Sequence, residues 1–336
     1  MRILLMAPTF FGYRERVRDE LVRQGHDVEC TNDRPSESVS FKSLAKISYR
    51  LIDGQISSYA ESLRKQVAAG DYDLLLFMGG MSFCFTYDQF APVRKASRAR
   101  FVAYLWDSYG NCERFGECRD LFDEIYSFEP ADCESYGFKL RPLFFSGAYS
   151  SLPLLPEGGF DYDACFVGSV HQPSKFKAVT SICADLESMG LKVFKYFFMP
   201  SRTSAAFRSV TDSAYRGVNF EFASLSADQV STVYSRSKAI IDSPQSGQQG
   251  LTMRTLETVG AHRKLITANP DAAFYDFARS GDVAVWDGAG SIPVGFFDAP
   301  YRELSDEIYG SYSIESFVKA LLGEDCEYHG YEKGSR

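Results

Sequence analysis

The sequence predicts an α/β protein built from two parallel-sheet domains that face a cleft. Unbroken apolar runs such as "RILLMAP", "DLLLFMGG" and "ARFVAYLW" read as strands buried on both faces, as strands of a helix-covered parallel sheet are. Amphipathic stretches separate them, which gives β-α-β units. The pattern then stops at the Ser, Pro and Gly-rich segment "SGAYSSLPLLPEGGFD" and starts again beyond it. At 336 residues the chain is long enough to bury two cores. The expected division is residues 1–150, residues 151–323 and a polar tail over residues 324–336.

The elements follow in order. "RILLMAP" is the first strand, and "RERVRDELVRQG" a helix with Val17, Leu21 and Val22 on one face and Gly25 as its stop. "HDVECTN" resumes extended. A polar helical region spans about Ser43 to Ala69, followed by strands at "DYDLLLFMGG" and "ARFVAYLWDS". "FDEIYSF" and "KLRPLFF" close the first domain. In the second, "YDACFVGSV", "KVFKYFF", "KAIIDS", "KLITAN" and "DVAVWD" are strands. "SKFKAVTSICADLESMG", "SADQVSTVYSRS", Met253–Ala261 and "IESFVKALLG" are helices, the last placed with the second domain.

Composition narrows the function classes. A net charge of −8 argues against nucleic acid as a partner, so a phosphate site would be a local exception. The eight cysteines form no CxxC pair, which predicts reduced thiols and no zinc site. No apolar run reaches membrane-span length, and the N-terminus reads as a strand rather than a leader. The prediction is a soluble cytoplasmic protein, with peripheral work at the inner face of a membrane left open.

The stretch "GQQGLTMRTLETVGAHRKLITANP" carries the most chemistry. Thr252 is suited to cap a helix, which puts Arg254 in its first turn and Glu257 one turn on. A cation sits poorly at the positive end of a helix dipole unless an anion joins it. The backbone N–H groups of Gly250, Leu251 and Thr252, with Arg254 beside them, can hold a phosphate or diphosphate, and Glu257 a ribose diol. The competing explanation is an ordinary capped helix with an Arg254–Glu257 ion pair. In "FVGSVHQPSKFK", Gly168 and Ser169 form a tight turn and Lys175 follows, which on the residues alone reads as a polar βα turn with a solvated lysine. The carboxyl end of "YLWDS" puts Asp107 where a general base could act, or where an aspartate could cap the next turn. Phe11, Gly12 and Tyr13, with Gly80 after its strand, are candidates for the acceptor side. In that loop the rings offer stacking faces, with core packing the alternative for the phenylalanine, and Gly80 allows either close backbone approach to a ligand or a loop bend.

Two Rossmann-like halves with "GLTMRTLE" and then "KLIT" resemble the donor domain of GT-B glycosyltransferases. The likeness is strongest to bacterial enzymes of capsular and lipopolysaccharide synthesis and to spore-maturation-protein-like (CgeB-like) transferases. It implies a metal-independent transferase with no cofactor, taking a nucleotide sugar as donor and a glycan or lipid-linked acceptor. Glu257 matches the ribose-binding glutamate, the Gly250–Thr252 turn the diphosphate loop, and Gly168, Ser169 and Lys175 the first donor-domain loop. Many retaining members carry a second glutamate eight positions before the ribose-binding one; here that position is Gln249, so retention or inversion stays open. A sugar-nucleotide epimerase and a non-catalytic assembly protein of the same architecture are the alternatives.

Overall fold

The computed structural model describes residues 1–9, 12–245, 247–288, 290–324 and 327–333. The chain divides into two compact units, residues 1–142 with 314–327, and residues 143–313 with 328–336.

The first unit holds strands β1 (Arg2–Met6), β2 (Asp27–Thr31), β3 (Leu74–Gly79), β4 (Arg100–Leu105), β5 (Glu124–Ser127) and β6 (Lys139–Leu140). They form one all-parallel sheet in the order β2-β1-β3-β4-β5-β6. Every residue of β3 is buried, as the run "LLLFMG" requires when helices cover both faces. One face packs an aromatic core in which Phe83 meets Phe77, Phe85, Phe90 and Phe115 at ring-centroid distances of 5.2 to 5.7 Å.

The second unit holds β7 (Tyr162–Ser169), β8 (Val193–Phe198), β9 (Ser237–Asp242), β10 (Lys264–Thr267) and β11 (Val283–Val285). Their order is β11-β10-β9-β7-β8, again all parallel. Helix Pro173–Ser188 contributes Phe176, Val179, Ile182, Cys183 and Leu186 to its core.

The structural division differs from the expected one at both ends of the second domain. The last helix, Ile314–Leu322, belongs to the first unit. Phe317 packs edge-on against Tyr104 of β4 at 4.7 Å, Arg100 donates to the Leu321 carbonyl at 2.9 Å, and Tyr126 donates to that of Ala320 at 3.0 Å. At the other end, the "SGAYSS" segment is already part of the second unit. Its Tyr149 is buried beside Tyr234, with ring centroids 5.7 Å apart. Strand β6 is shorter than "KLRPLFF" suggests: Leu143, Phe144 and Phe145 are buried, but outside any strand.

Candidate functional site

In the second sheet the chain runs from β7 outward to β8, then crosses back to β9 on the other side of β7. At such a reversal the carboxyl ends of the strands form the usual ligand crevice. There β7 ends in Val167, Gly168 and Ser169, β9 ends in Asp242, and the helices Pro173–Ser188 and Met253–Gly260 begin. Thr252 caps the second helix, its Oγ1 accepting from the Thr255 N–H at 3.3 Å.

Arg254 reaches across this point. Its Nη1 donates to Asp242 Oδ1 at 2.9 Å and its Nη2 to the Val167 carbonyl at 2.8 Å, while the guanidinium lies 4.9 Å from the Phe166 ring centroid. The other Asp242 oxygen accepts from Thr255 Oγ1 at 3.0 Å, so this fully buried carboxylate is satisfied on both sides. Arg254 Nε is buried and has no hydrogen-bond partner among the described residues. Lys175, half-buried in the first turn of its helix, has neither an ion pair nor a hydrogen bond among the described residues. Burial and the charge of Arg254 push its ammonium down to about 8, against a smaller opposing pull from Asp242. Two cations thus influence one another here, Arg254 paired with Asp242 and Lys175 without an ion pair among the described residues.

The loop before that helix is fixed from behind. Asn269 Nδ2 donates to the Gln249 carbonyl at 3.0 Å and to that of Gly250 at 3.4 Å, and Leu251 is wholly buried. Gln249 lines a cavity of about 410 Å3 with Ser174, Pro244, Gln245 and Pro270. Ser169 Oγ lies 2.6 Å from His171 Nδ1. Glu257 is half-buried, one turn beyond Arg254.

In the first sheet the order reverses between β1 and β3. Asp107, just past β4, accepts from the Met81 N–H at 3.1 Å through Oδ2. Burial raises its carboxyl above the ordinary aspartate range, and the Met81 bond offsets part of this. Asp107 is on the wall of a cavity of about 480 Å3 shared with Trp106 and Tyr49.

Solved structures share this architecture over almost their whole length. The chain is 10% identical to the lipopolysaccharide outer core galactosyltransferase WaaB in its apo form, with a TM-score of 0.53 over 96% of this chain and 99% of that one. For UDP-GlcNAc 2-epimerase from Neisseria meningitidis bound to UDP-GlcNAc the values are 9%, 0.54, 96% and 99%. For a variant of Os79 from O. sativa in complex with UDP they are 11%, 0.50, 96% and 96%. The chain has the GT-B fold. No protein-family model matches the sequence, and no curated protein matches it.

Within the GT-B fold, Gly168, Ser169, Lys175, Thr252 and Arg254 come together at the β7/β9 carboxyl ends, and Gln249 and Gly250 in the adjoining loop. The structure adds a packing role for three of the donor-side candidates. Arg254 is anchored by Asp242 and the Val167 carbonyl, so its counter-ion comes from β9. Gly168 makes room for that arginine: a Cβ there would stand 2.3 Å from Arg254 Nη2. Leu251 holds its loop through the core, leaving only its backbone for a ligand. In the first unit, Gly80 gives space to Asp107, since a Cβ would fall 2.3 Å from Oδ2. Gly12 has φ 69° and open space around its Cβ position, so its backbone conformation explains the glycine. Tyr13 begins the helix Tyr13–Arg23, with Arg16 over its ring at 5.5 Å. Phe11, like Phe10, lies outside the described residues.

Asp242 is the residue sequence reasoning missed. Its signal was present in "KAIIDSP", a charged residue closing an apolar strand, the same pattern that singled out Asp107 in "YLWDS". Among the described residues no group of three or more His, Cys, Asp or Glu could hold a metal ion, and no helix is long and apolar enough to cross a membrane.

Proposed function

We propose that the protein is a glycosyltransferase that moves a sugar from a nucleotide-activated donor to a glycan or lipid-linked acceptor in the synthesis of surface polysaccharide. The observation that carries this reading is the unpaired Lys175 beside the anchored Arg254 at a helix start. Transfer breaks the bond between the sugar's anomeric carbon and the diphosphate, and the departing diphosphate gains charge as it leaves. Lys175 offers it three uncommitted donors. Arg254 supplies positive charge held in place before the donor arrives, and Gly250 to Met253 supply backbone N–H groups. Glu257 is assigned the ribose, and Gln249 a sugar hydroxyl. Asp107 takes the proton from the acceptor hydroxyl, a task its raised pKa suits.

The similarity to UDP-GlcNAc 2-epimerase supports a second reading, a sugar-nucleotide epimerase. One experiment separates them. Nucleotide sugars are screened for thermal stabilisation, and the best ligand is incubated with and without candidate acceptors. A transferase releases nucleoside diphosphate in step with acceptor glycosylation. An epimerase inverts the donor sugar with no acceptor present. Absence of stabilisation by every UDP-, GDP-, dTDP-, ADP- and CMP-linked sugar would sink both.

A further inference from the structure

The cavity beside Asp107 has a chemistry that the transferase reading leaves unused. Phe41, Tyr49 and Trp106 supply aromatic wall, and Arg34, Lys42 and Lys46 supply cations. All of these residues belong to the first unit. Arg34 is the informative one. It follows β2 and its side chain is 14% exposed. Its Nε donates to Asp33 Oδ1 at 3.2 Å and lies 3.0 Å from Glu37 Oε1 as an ion pair. Neither Nη makes a hydrogen bond among the described residues. A guanidinium tethered through its inner nitrogen holds its two outer ones as a fixed fork, the shape that grips a carboxylate or phosphate by two parallel hydrogen bonds.

The charge count agrees. Lys42 pairs with Glu37 Oε2 at 2.7 Å, so Asp33 and Glu37 are matched by Arg34 and Lys42. Lys46, four residues beyond Lys42 on the helix Val39–Ile47, has no ion pair among the described residues. That leaves Lys46 as a cation without an ion pair on the cavity wall of a chain whose net charge is −8. The acidic side chain on the cavity wall, Asp107, has its carboxyl raised above the ordinary aspartate range by burial and accepts from the Met81 N–H.

We propose that this cavity holds its ligand by an oxyanion, so that the acceptor is a sugar or lipid-linked sugar carrying a carboxylate or phosphate. Arg34 grips the anion through both Nη atoms, Lys46 adds its charge, and the sugar ring lies against Tyr49 and Trp106. The word acceptor rests on the transferase reading; the binding of an anionic sugar does not.

The test uses the full chain and three probes: glucuronate, glucose 1-phosphate and the neutral methyl glucoside, titrated by calorimetry or saturation-transfer NMR. At least one anionic probe is expected to bind tenfold or more tightly than the neutral one, and the better of the two identifies carboxylate or phosphate. Arg34→Lys keeps a cation for Asp33 and Glu37 but removes the fork, and Lys46→Ala changes only an exposed, unpaired side chain. Each is expected to weaken the anionic probe at least fivefold and to leave the affinity for UDP unchanged. Equal binding of charged and neutral probes, or anion binding that survives both substitutions, overturns the proposal. If nucleotide sugars bind and anionic sugars do not, the cavity proposal fails alone. If anionic sugars bind by the Arg34 and Lys46 criteria and no nucleotide sugar does, the anion site stands and the transferase reading falls.

Discussion

Replacing Lys175 with methionine tests the donor site through stability as well as binding. The side chains are similar in length, so the change removes a charge and little volume. An ammonium whose pKa falls from 10.5 to about 8 on folding opposes the folded state at neutral pH. At about 1.36 kcal/mol per tenfold, the full effect at pH 7 is about 3 kcal/mol. Lys175 is partly exposed, and solvent screening brings the expected gain for Lys175→Met to about 1–3 kcal/mol. The sign follows from proton binding. The unfolded chain keeps this proton up to its ordinary pKa, while the folded chain releases it near 8, so wild-type stability rises with pH across that window. The advantage of the methionine variant therefore shrinks between pH 8 and 10.5. Urea titrations of both proteins at pH 7, 9 and 10 measure it, and comparing the two cancels the other titrating groups. The same variant should bind nucleoside diphosphate at least tenfold more weakly. A variant no more stable than wild type, or a gap that does not change with pH, refutes the argument that Lys175 is a cation held at a cost.

Four further outcomes follow from the same geometry. Gly168→Ala puts a methyl group 2.3 Å from Arg254 Nη2 and must displace the arginine; a stability loss on the order of 1–3 kcal/mol in urea should accompany weaker nucleotide binding, and wild-type values for both would refute the packing argument. Asp107→Asn keeps the carbonyl that accepts from Met81 but removes the proposed base, so transfer should fall by about 10²–10⁴ while nucleotide affinity holds. Because burial raises the Asp107 pKa, wild-type activity should be lost as pH falls through a value above the ordinary aspartate range, and a limb at the ordinary value would count against Asp107 as the base. Thr252→Ala removes the cap on Thr255 N–H and should cost about 1 kcal/mol of thermal or urea stability; no loss would mean that the loop is held by Asn269 alone.

The strands were legible because an apolar run bounded by turn residues reports burial on both faces, whatever lies on either side of it. The same logic overreached at "KLRPLFF". An apolar run specifies that Leu143 to Phe145 are buried, but not that a neighbouring strand pairs with them, and only Lys139 and Leu140 are paired in the sheet. The helix Arg202–Thr211 escaped sequence reading for the converse reason. Its Phe207 and Val210 are 65% and 77% exposed, so the apolar spacing that marks a packed helix is blurred.

The donor-side candidates divide along the same line. Sequence alone determined what depends on neighbours in the chain: the Thr252 cap, the helix it starts, the strand that follows, and the placing of Gly168 at the end of an apolar strand with Lys175 at the start of the helix after it. The tertiary structure decided everything that depends on distant partners. Arg254 is anchored by groups 12 and 87 residues away, on strands that become its neighbours only when the sheet forms. The need for glycine at 168 and 80 and the depressed pKa of Lys175 arise the same way. Steric exclusion, desolvation and charge pairing act over a few ångströms of space, and the order of strands in the sheet determines which residues share that space.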